Sequence, residues 1–254
     1  MFFKHEISQP ASQSQVSVFS LPYTDTTFDN SLYLEYKPVV NVQDSDGKID
    51  FRAVGNSSQY LDLNDSFLYL RIKVVNQDGS DLHRKQDIST SNLLLHSLFS
   101  QCDLYINSRL VSTSNNCYGY KAYIQTLFSY GSKSLQTIKS CALYYEETNN
   151  GSVDDANEGY KNRKAYVSSS KACELIDKLC LDLSEQERYV LSDTDVTISL
   201  TRSPDAFVLL GKDAPVKIKN AKNEEEVVTL PGTAKVKILD ASFFVRKQIL
   251  YPSI

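Results

Sequence analysis

Residues 93–131, LLLHSLFSQCDLYINSRLVSTSNNCYGYKAYIQTLFSYG, decide the fold class because the spacing of their apolar residues changes twice. Helical spacing gives way to the alternation of a strand and then returns. The three sets are Leu94, Leu98 and Phe99, then Cys102, Leu104 and Ile106, and then Tyr120, Tyr123, Ile124, Leu127 and Phe128. Asn115 or Asn116 can cap the second helix, and Gly131 can end it. The stretch therefore predicts a helix, a strand and a second helix inserted in a β protein.

Alternating apolar residues predict strands on both sides of this stretch. The sets are Leu32, Leu34 and Tyr36; Ile49, Phe51 and Ala53; Leu68, Leu70, Ile72 and Val74; Cys173 and Leu175; Leu179, Leu181 and Leu183; Val196, Ile198 and Leu200; and Val236 and Ile238. Residues 239–242 break the last alternation and predict a β-bulge. Residues 77–79 predict a turn, and residues 184–188 predict a helical turn.

Two long segments, residues 144–171 and 211–232, are rich in polar and charged side chains. Such segments predict surface loops because they offer little apolar surface to bury. Many short strands, few helices and two long loops favour a sandwich of two sheets. The predicted fold is all-β, a jelly-roll β-sandwich with a helical insertion and long polar loops.

The composition is typical of a folded chain with one sizeable core. Of 254 residues, 41% are hydrophobic and 23% are charged, which argues against disorder and against a membrane protein. Sixteen Tyr and eleven Phe suit strands, since aromatic rings pack well on a pleated surface. The net charge of -4 gives no basic stripe, so direct binding of nucleic acid is not expected.

The domain prediction is a flexible amino-terminal arm over residues 1–15 and a single jelly-roll domain over residues 16–254. The first fifteen residues, MFFKHEISQPASQSQ, are too polar for a secretory signal, and no apolar run approaches the length of a membrane span. The N-x-S sequences at Asn56, Asn64 and Asn150 are therefore expected to be unmodified. Five cysteines without a C-x-x-C pair predict reduced, mostly buried thiols of a protein assembled inside the cell. They are Cys102, Cys117, Cys141, Cys173 and Cys180.

The sequence predicts no enzyme, with no catalytic, cofactor-binding or metal-binding residues. The three histidines are His5, His83 and His96. None is spaced from another His or a Cys as a metal site requires. Asp44, Asp46 and Gly47 resemble the start of a calcium loop, but the later ligands of such a loop are missing. The nine glycines include no phosphate-binding loop.

Three arrangements leave an alternative open. His96 precedes Cys102 by six residues and a nucleophilic pair is conceivable, although their apolar surroundings favour core packing. The acidic runs 154–155 and 224–226 are typical of solvated faces rather than of an acid/base pair. A tyrosine cluster could bind a sugar or an exposed base, but its helical spacing favours a packing face or a contact with a neighbouring subunit. Its members are Tyr118, Tyr120, Tyr123 and Tyr130.

The segments SLFSQCDLYINSRLVS and CYGYKAYIQTLFSYG resemble the major capsid proteins of Maverick/Polinton elements and adintoviruses. Four further segments resemble the same family in the same order. They are VFSLPYTDTTFDNSLYLEYKPV (18–39), YLDLNDSFLYLRIKV (60–74), DVTISLTRSPDAFVLL (195–210) and ILDASFFVRKQILYPSI (238–254). The resemblance implies the amino-terminal jelly roll of a double jelly-roll protein, similar in fold to the adenovirus hexon. Members of that family continue into a second jelly roll, so this chain is either the first part of such a protein or a short relative.

The resemblance implies a structural virion protein that self-assembles into an icosahedral shell inside the host cell. Its partners would be itself, as a homotrimer forming pseudo-hexagonal capsomers, and vertex and minor capsid subunits. The two polar segments would form the outer tower or contacts between subunits. The alternatives are a jelly-roll binding module, a cupin-type enzyme and a single jelly-roll vertex subunit resembling a penton. A cupin needs a clustered His/Glu metal set, and a secreted binding module would be expected to carry a signal peptide and paired cysteines. The sequence shows none of these features.

Overall fold

The computed structural model describes residues 27–42, 47–219 and 225–251. The strands are β1 Phe28–Tyr36, β2 Lys48–Ala53, β3 Gln59–Val75, β4 Ile88–Thr90, β5 Phe99–Ile106, β6 Arg109–Ser112, β7 Ala172–Asp177, β8 Val196–Arg202, β9 Leu209–Gly211, β10 Ala214–Lys219, β11 Glu225–Leu230 and β12 Lys235–Leu250. The α-helices are α1 Leu94–Ser97, α2 Tyr118–Ser129, α3 Ser132–Thr137, α4 Glu158–Val167 and α5 Asp205–Val208. Short 3₁₀ turns occupy Lys139–Ala142, Asn149–Gly151 and Ser168–Ser170.

Two four-stranded antiparallel sheets form the body of the fold. The first sheet has the strand order β1-β12-β3-β7, and the second has the order β2-β8-β5-β6. Eight strands arranged in two four-stranded sheets with these orders make the double Greek key of a jelly roll. The predicted all-β jelly-roll sandwich is therefore confirmed. The remaining strands form two small sheets, β4 with β9 and β10 with β11.

The core lies between the two large sheets and is built from alternating residues. Leu70 and Ile72 of β3 and Leu200 of β8 have no exposed surface. Phe51 of β2 and Phe243 of β12 bring their rings within 6.1 Å of each other across the sandwich. Burying each side chain of this size stabilises the fold by roughly 1.5–3 kcal/mol. The alternating apolar residues seen in the sequence are therefore the ones whose burial drives folding of the sandwich.

The predicted β-bulge in β12 is confirmed. The register between β12 and β3 shifts between Ile238 and Asp240. Val236 and Ile238 face the core before the shift, whereas Phe243 and Val245 face it afterwards. One extra residue changes the parity of the alternation, and this keeps apolar side chains inward on both sides of the shift, from Val236 to Val245 of the sixteen-residue strand.

The opening stretch differs from its prediction in the role of its strand. Residues 99–106 form β5, which lies between β8 and β6 in the second sheet and is therefore part of the body of the fold. Phe99 begins this strand and does not belong to α1. β6 has no counterpart among the predicted strands. Asn107 and Ser108 join β5 to β6 with φ values of 48° and 64°, as a two-residue hairpin of type I′ requires.

The predicted helix ends are also wrong, although α2 itself is present. Asn115 and Asn116 have φ values of 48° and 60°, and α2 begins after Cys117 without a side-chain cap. Gly131 has a φ of −72° and precedes α3 instead of ending α2. Asparagine tolerates the left-handed region, so these two residues turn the chain into the helix rather than capping it.

The first polar segment is not only a surface loop, because it contains α4. Tyr160, Arg163 and Val167 of this helix are buried. The Arg163 Nε atom donates to the Thr90 carbonyl at 2.8 Å, and its guanidinium group pairs with Glu147 at 2.7 Å. Hydrogen bonds thus allow one face of a polar helix, with an arginine on it, to be buried, which apolar periodicity does not reveal.

Other predictions have mixed outcomes. The second polar segment forms the β10–β11 hairpin, with residues 220–224 outside the described part. Leu179 and Leu181 are buried, but residues 179–183 form no strand, and residues 182–185 form a turn. β1 is present, although Leu34 is 37% exposed because β1 lies at a sheet edge. Gly79 makes the predicted turn with a φ of 90°. The predicted arm over residues 1–15 and the acidic residues 44 and 46 lie outside the described residues.

Candidate assembly surface

Helix α2 has a buried face and an exposed face, and the exposed face is apolar. Its buried residues are Tyr118, Gly119, Ala122 and Thr126. On the opposite side, Tyr120 is 60% exposed, Ile124 53%, Leu127 43% and Phe128 88%. Positions i, i+4, i+7 and i+8 lie along one side of a helix. The apolar spacing seen in the sequence therefore marks an outward surface rather than the core.

Phe207 of α5 extends this surface. Its ring meets the Tyr120 ring edge-on, with the centroids 5.5 Å apart, and 38% of the residue is exposed. We call the five residues the apolar stripe; they are Tyr120, Ile124, Leu127, Phe128 and Phe207. Exposed apolar patches on folded proteins are commonly sites of protein–protein contact, so the apolar stripe is a candidate assembly surface.

A buried polar cluster fixes the position of α2. The side chain of His96 in α1 is fully buried, and its Nδ1 atom lies 2.9 Å from the hydroxyl of Tyr118 in α2. Its Nε2 atom lies 3.1 Å from Asp177 at the end of β7. Lys139 donates to both Asp177 oxygens, at 2.7 and 2.8 Å. The cluster thus joins two helices, a 3₁₀ turn and a strand of the first sheet.

Electrostatics favour the charged form of Asp177 within this cluster. Burial alone would raise the pKa of Asp177, but the hydrogen bond with His96 and the charge of Lys139 outweigh burial and lower it. Burial likewise opposes the charge on Lys139, whereas Asp177 raises the pKa of Lys139 above its ordinary value. The lysine also lies over the ring of Tyr130, with its Nζ atom 4.6 Å from the centroid. No pattern in the sequence indicated a role for Lys139 or Asp177, because the two residues meet only in the folded chain.

The conceivable His96–Cys102 nucleophilic pair does not form. Both ring nitrogens of His96 are engaged by Tyr118 and Asp177. Cys102 has no exposed surface, and burial raises the pKa of its thiol far above the usual range. A protonated, buried thiol is a poor nucleophile. The structure therefore agrees with core packing for both residues.

The four tyrosines of the predicted cluster differ in burial and in the residues they contact. Tyr118 is buried, whereas Tyr123 packs against Tyr144 with the ring centroids 6.4 Å apart. Tyr130 lies under Lys139, and Tyr120 faces outward. These rings point in different directions and do not form one platform.

The acidic residues 154 and 155 make hydrogen bonds and ion pairs with nearby residues. Asp154 accepts hydrogen bonds from the Ser152 hydroxyl at 2.9 Å and from the backbone of Ala156, and the Ser152 bond lowers its pKa. Asp155 pairs with Lys164 at 2.9 Å. In the second acidic run, residues 225 and 226 lie in β11, whereas residue 224 lies outside the described part.

Metal and cysteine chemistry can be judged within the described ranges. No group of three or more His, Cys, Asp or Glu side chains there is placed to hold a metal ion. All five cysteines are free; Cys117 and Cys141 are exposed, and the other three are buried. No helix among the described residues is long and apolar enough to cross a membrane.

A second apolar area lies on the outer face of the first sheet. The rings of Tyr33, Phe67 and Phe244 form a row, with centroids 5.5 Å and 5.0 Å apart. Ion pairs flank this row, among them Lys37 with Asp240 at 3.2 Å. The outer face of the first sheet therefore combines exposed aromatic rings with paired charges.

Comparison with known proteins gives one distant relative by sequence and viral proteins by structure. No protein-family profile matches the chain. An uncharacterized protein of Caenorhabditis elegans is 25% identical over 199 residues, which are 74% of this chain and 45% of that protein. A chain of the Sputnik virophage, solved by cryo-EM, superposes with a TM-score of 0.57 and 12% identity, over 98% of this chain and 54% of its own.

VP54 of PBCV-1, in a crystal structure fitted into a reconstruction of the virophage Sputnik, superposes with a TM-score of 0.50 and 11% identity. That match covers 92% of this chain and 46% of VP54. The chain thus spans about half the length of each of these three proteins. At these identities the structural likeness concerns the fold. The chain therefore shares its jelly-roll fold with these two viral proteins.

Proposed function

We propose that this chain is a structural subunit of an icosahedral virus capsid. The observation that carries the proposal is the likeness to the Sputnik virophage chain, which covers 98% of this chain with a TM-score of 0.57. The apolar stripe supports it, because a subunit that works by assembly must offer surface to its neighbours.

The finer proposal is a double jelly-roll capsid protein of the Maverick/Polinton and adintovirus type, with this chain as its first jelly roll. The separated sequence segments that resemble that family support it. So does the share of the longer viral chain that this chain covers, 54%. The complete protein would form homotrimers as pseudo-hexagonal capsomers, assemble inside the host cell and reside in the virion beside vertex and minor capsid proteins.

In this proposal the subunit acts through geometry rather than chemistry. The sandwich is the rigid body of the subunit, and α2 lies in the segment that joins β6 to β7. The buried contacts of His96 and Lys139 with Asp177 hold α2 in one orientation, so that the apolar stripe meets a neighbouring subunit at a fixed angle. No catalytic step and no cofactor is part of the proposal.

Two alternatives remain distinguishable. A single jelly-roll vertex subunit would form pentamers from this chain alone, and a jelly-roll binding module would remain monomeric and bind a ligand. Electron microscopy of particles from cells that express the complete protein tests the proposal. We expect closed shells that antibodies against this chain label. Soluble protein without shells, at concentrations where capsid proteins assemble, would contradict it.

A further inference from the structure

Three neighbouring strands of the second sheet place two carboxylates and a hydroxyl in one row on its outer face. In the register of the sheet, Ser199 of β8 lies opposite Asp50 of β2 on one side and opposite Asp103 of β5 on the other. Residues directly opposite each other in antiparallel strands have their side chains on the same face, with Cβ atoms about 4.5–5.5 Å apart. The flanking residues Phe51 and Ile198 point into the core, so this row points away from it.

Each of the three side chains has a buried oxygen without a hydrogen-bond partner. The atoms are Asp50 Oδ1, Ser199 Oγ and Asp103 Oδ1. Ser199 is only 2% exposed and Asp103 only 8%. The second oxygen of Asp103 accepts a hydrogen bond from Gln101 at 2.7 Å, so Oδ1 is the oxygen of this carboxylate that remains without a partner. Buried oxygens without partners are rare in folded proteins, and three in one row indicate a shared partner.

The nearby basic side chains do not supply that partner. Lys48 Nζ lies 3.9 Å from Asp50 Oδ1, beyond hydrogen-bond distance, and 57% of its side chain is exposed. Arg52, on the same face of β2, pairs with Asp195 at 2.8 Å. The row therefore consists of two carboxylates and a hydroxyl, and the nearest basic group, the ammonium group of Lys48, is beyond hydrogen-bond distance.

We propose that this row, Asp50–Ser199–Asp103, binds a calcium ion. Oxygen ligands suit hard cations, and Ca²⁺ accepts six to eight of them at about 2.3–2.6 Å with flexible geometry. The row supplies three ligands from the protein, and water supplies the others. β2 and β5 lie about 9.5 Å apart because β8 separates them. Such a wide site suits Ca²⁺ better than Mg²⁺, which needs a compact octahedron.

The proposed ion links three neighbouring strands, because each strand supplies one of its ligands. β2 lies at the edge of the second sheet, and a cation shared with β5 holds β2 to the body of the sheet through β8. With few protein ligands, the site binds calcium with a dissociation constant on the order of 10⁻⁴–10⁻³ M. The inference does not depend on the proposed capsid function.

Calorimetric titration of the 254-residue chain with calcium chloride tests the proposal. We expect one saturable site, with about 10 mM calcium raising the unfolding temperature by about 3–6 °C and magnesium raising it much less. Asp103→Asn should weaken calcium binding at least about 10-fold, and Ser199→Ala should weaken it to a smaller degree. Asp154→Asn, which changes an acid bound to Ser152 outside the sheet, is the matched control and should leave binding unchanged.

Ser199→Ala keeps the proposal testable if Asp103→Asn does not fold. No saturable binding up to about 10 mM calcium would overturn the proposal, because the row would then hold only water. Equal binding by the wild-type chain and whichever of these two variants folds would also overturn it. An equal response to magnesium would contradict the assignment to calcium.

Discussion

The Nε2 atom of His96 lies 3.1 Å from an Oδ atom of Asp177, and the two side chains are 0% and 8% exposed. This contact joins α1 to the last residue of β7. Since Tyr118 of α2 and Lys139 of the following 3₁₀ turn complete the cluster, the orientation of the apolar stripe depends on it. Its ionisation should therefore control the stability of the helical region.

Asp177→Asn should lower the free energy of unfolding by about 3 kcal/mol at pH 7, because it leaves the buried charge of Lys139 without its partner. Urea unfolding measures this value. Asp182→Asn is the control, since Asp182 pairs with Lys121 at the surface with 74% of its side chain exposed, and it should cost less than about 1 kcal/mol. Equal effects of the two variants would show that the cluster does not hold the helices.

The same cluster predicts a pH dependence with a defined sign. The pKa of Asp177 lies below the ordinary value of 3.8. Its stabilising contribution is therefore fully present above that value and is lost as the pH falls through the lower, folded pKa. The difference in unfolding free energy between wild type and Asp177→Asn should shrink as the pH falls below about 4. A difference that stays constant down to pH 2 would contradict the assignment.

Phe128→Asp should weaken the concentration-dependent self-association of the chain at least about 10-fold. The substitution places a charge on the most exposed residue of the apolar stripe. The stability of the monomer should change by less than about 0.5 kcal/mol, since Phe128 is 88% exposed. Sedimentation equilibrium measures the association. Leu191→Asp changes an apolar residue that is 67% exposed outside the stripe, and it should leave association unchanged. If both variants associate like the wild type, the stripe is not an assembly surface.

Ser108→Gly should stabilise the chain by about 1 kcal/mol, because Ser108 has a φ of 64° in the β5–β6 hairpin. Asn-Gly is the preferred sequence for such a turn. Thermal unfolding measures the change. Ser100→Gly, within β5, should have the opposite sign, since glycine weakens a strand. A loss of stability in Ser108→Gly would show that the hairpin has another turn type.

The sandwich could be predicted from the sequence because strand alternation and burial have the same cause. Leu68, Leu70 and Ile72 alternate in the sequence and are fully buried in β3. Even the bulge in β12 was visible as a change of parity near Asp240. Strand order could not be predicted in this way, since it depends on pairings between segments that lie far apart in the sequence.

The helical region was less predictable because its residues do not follow the rule that apolar side chains are buried. Ile124 and Phe128 have the spacing of a buried face but point outward, whereas Arg163 is buried in a segment expected to be a loop. An assembly surface and a core face have the same periodicity. Burial of Arg163 depends on hydrogen bonds to Glu147 and to the Thr90 backbone, which only the folded chain brings near.

The central claim is that this chain is the first jelly roll of a trimeric capsid protein. Sedimentation velocity tests it most directly when this chain is compared with a protein in which a second jelly roll follows it. The proposed capsid function predicts a discrete trimer for the longer protein. It predicts monomers or mixed small oligomers for the 254-residue chain, whose apolar surfaces would lack their full set of partners. A longer protein that remains monomeric would contradict the claim, and a stable pentamer of the short chain would show instead a single jelly-roll subunit of a fivefold vertex.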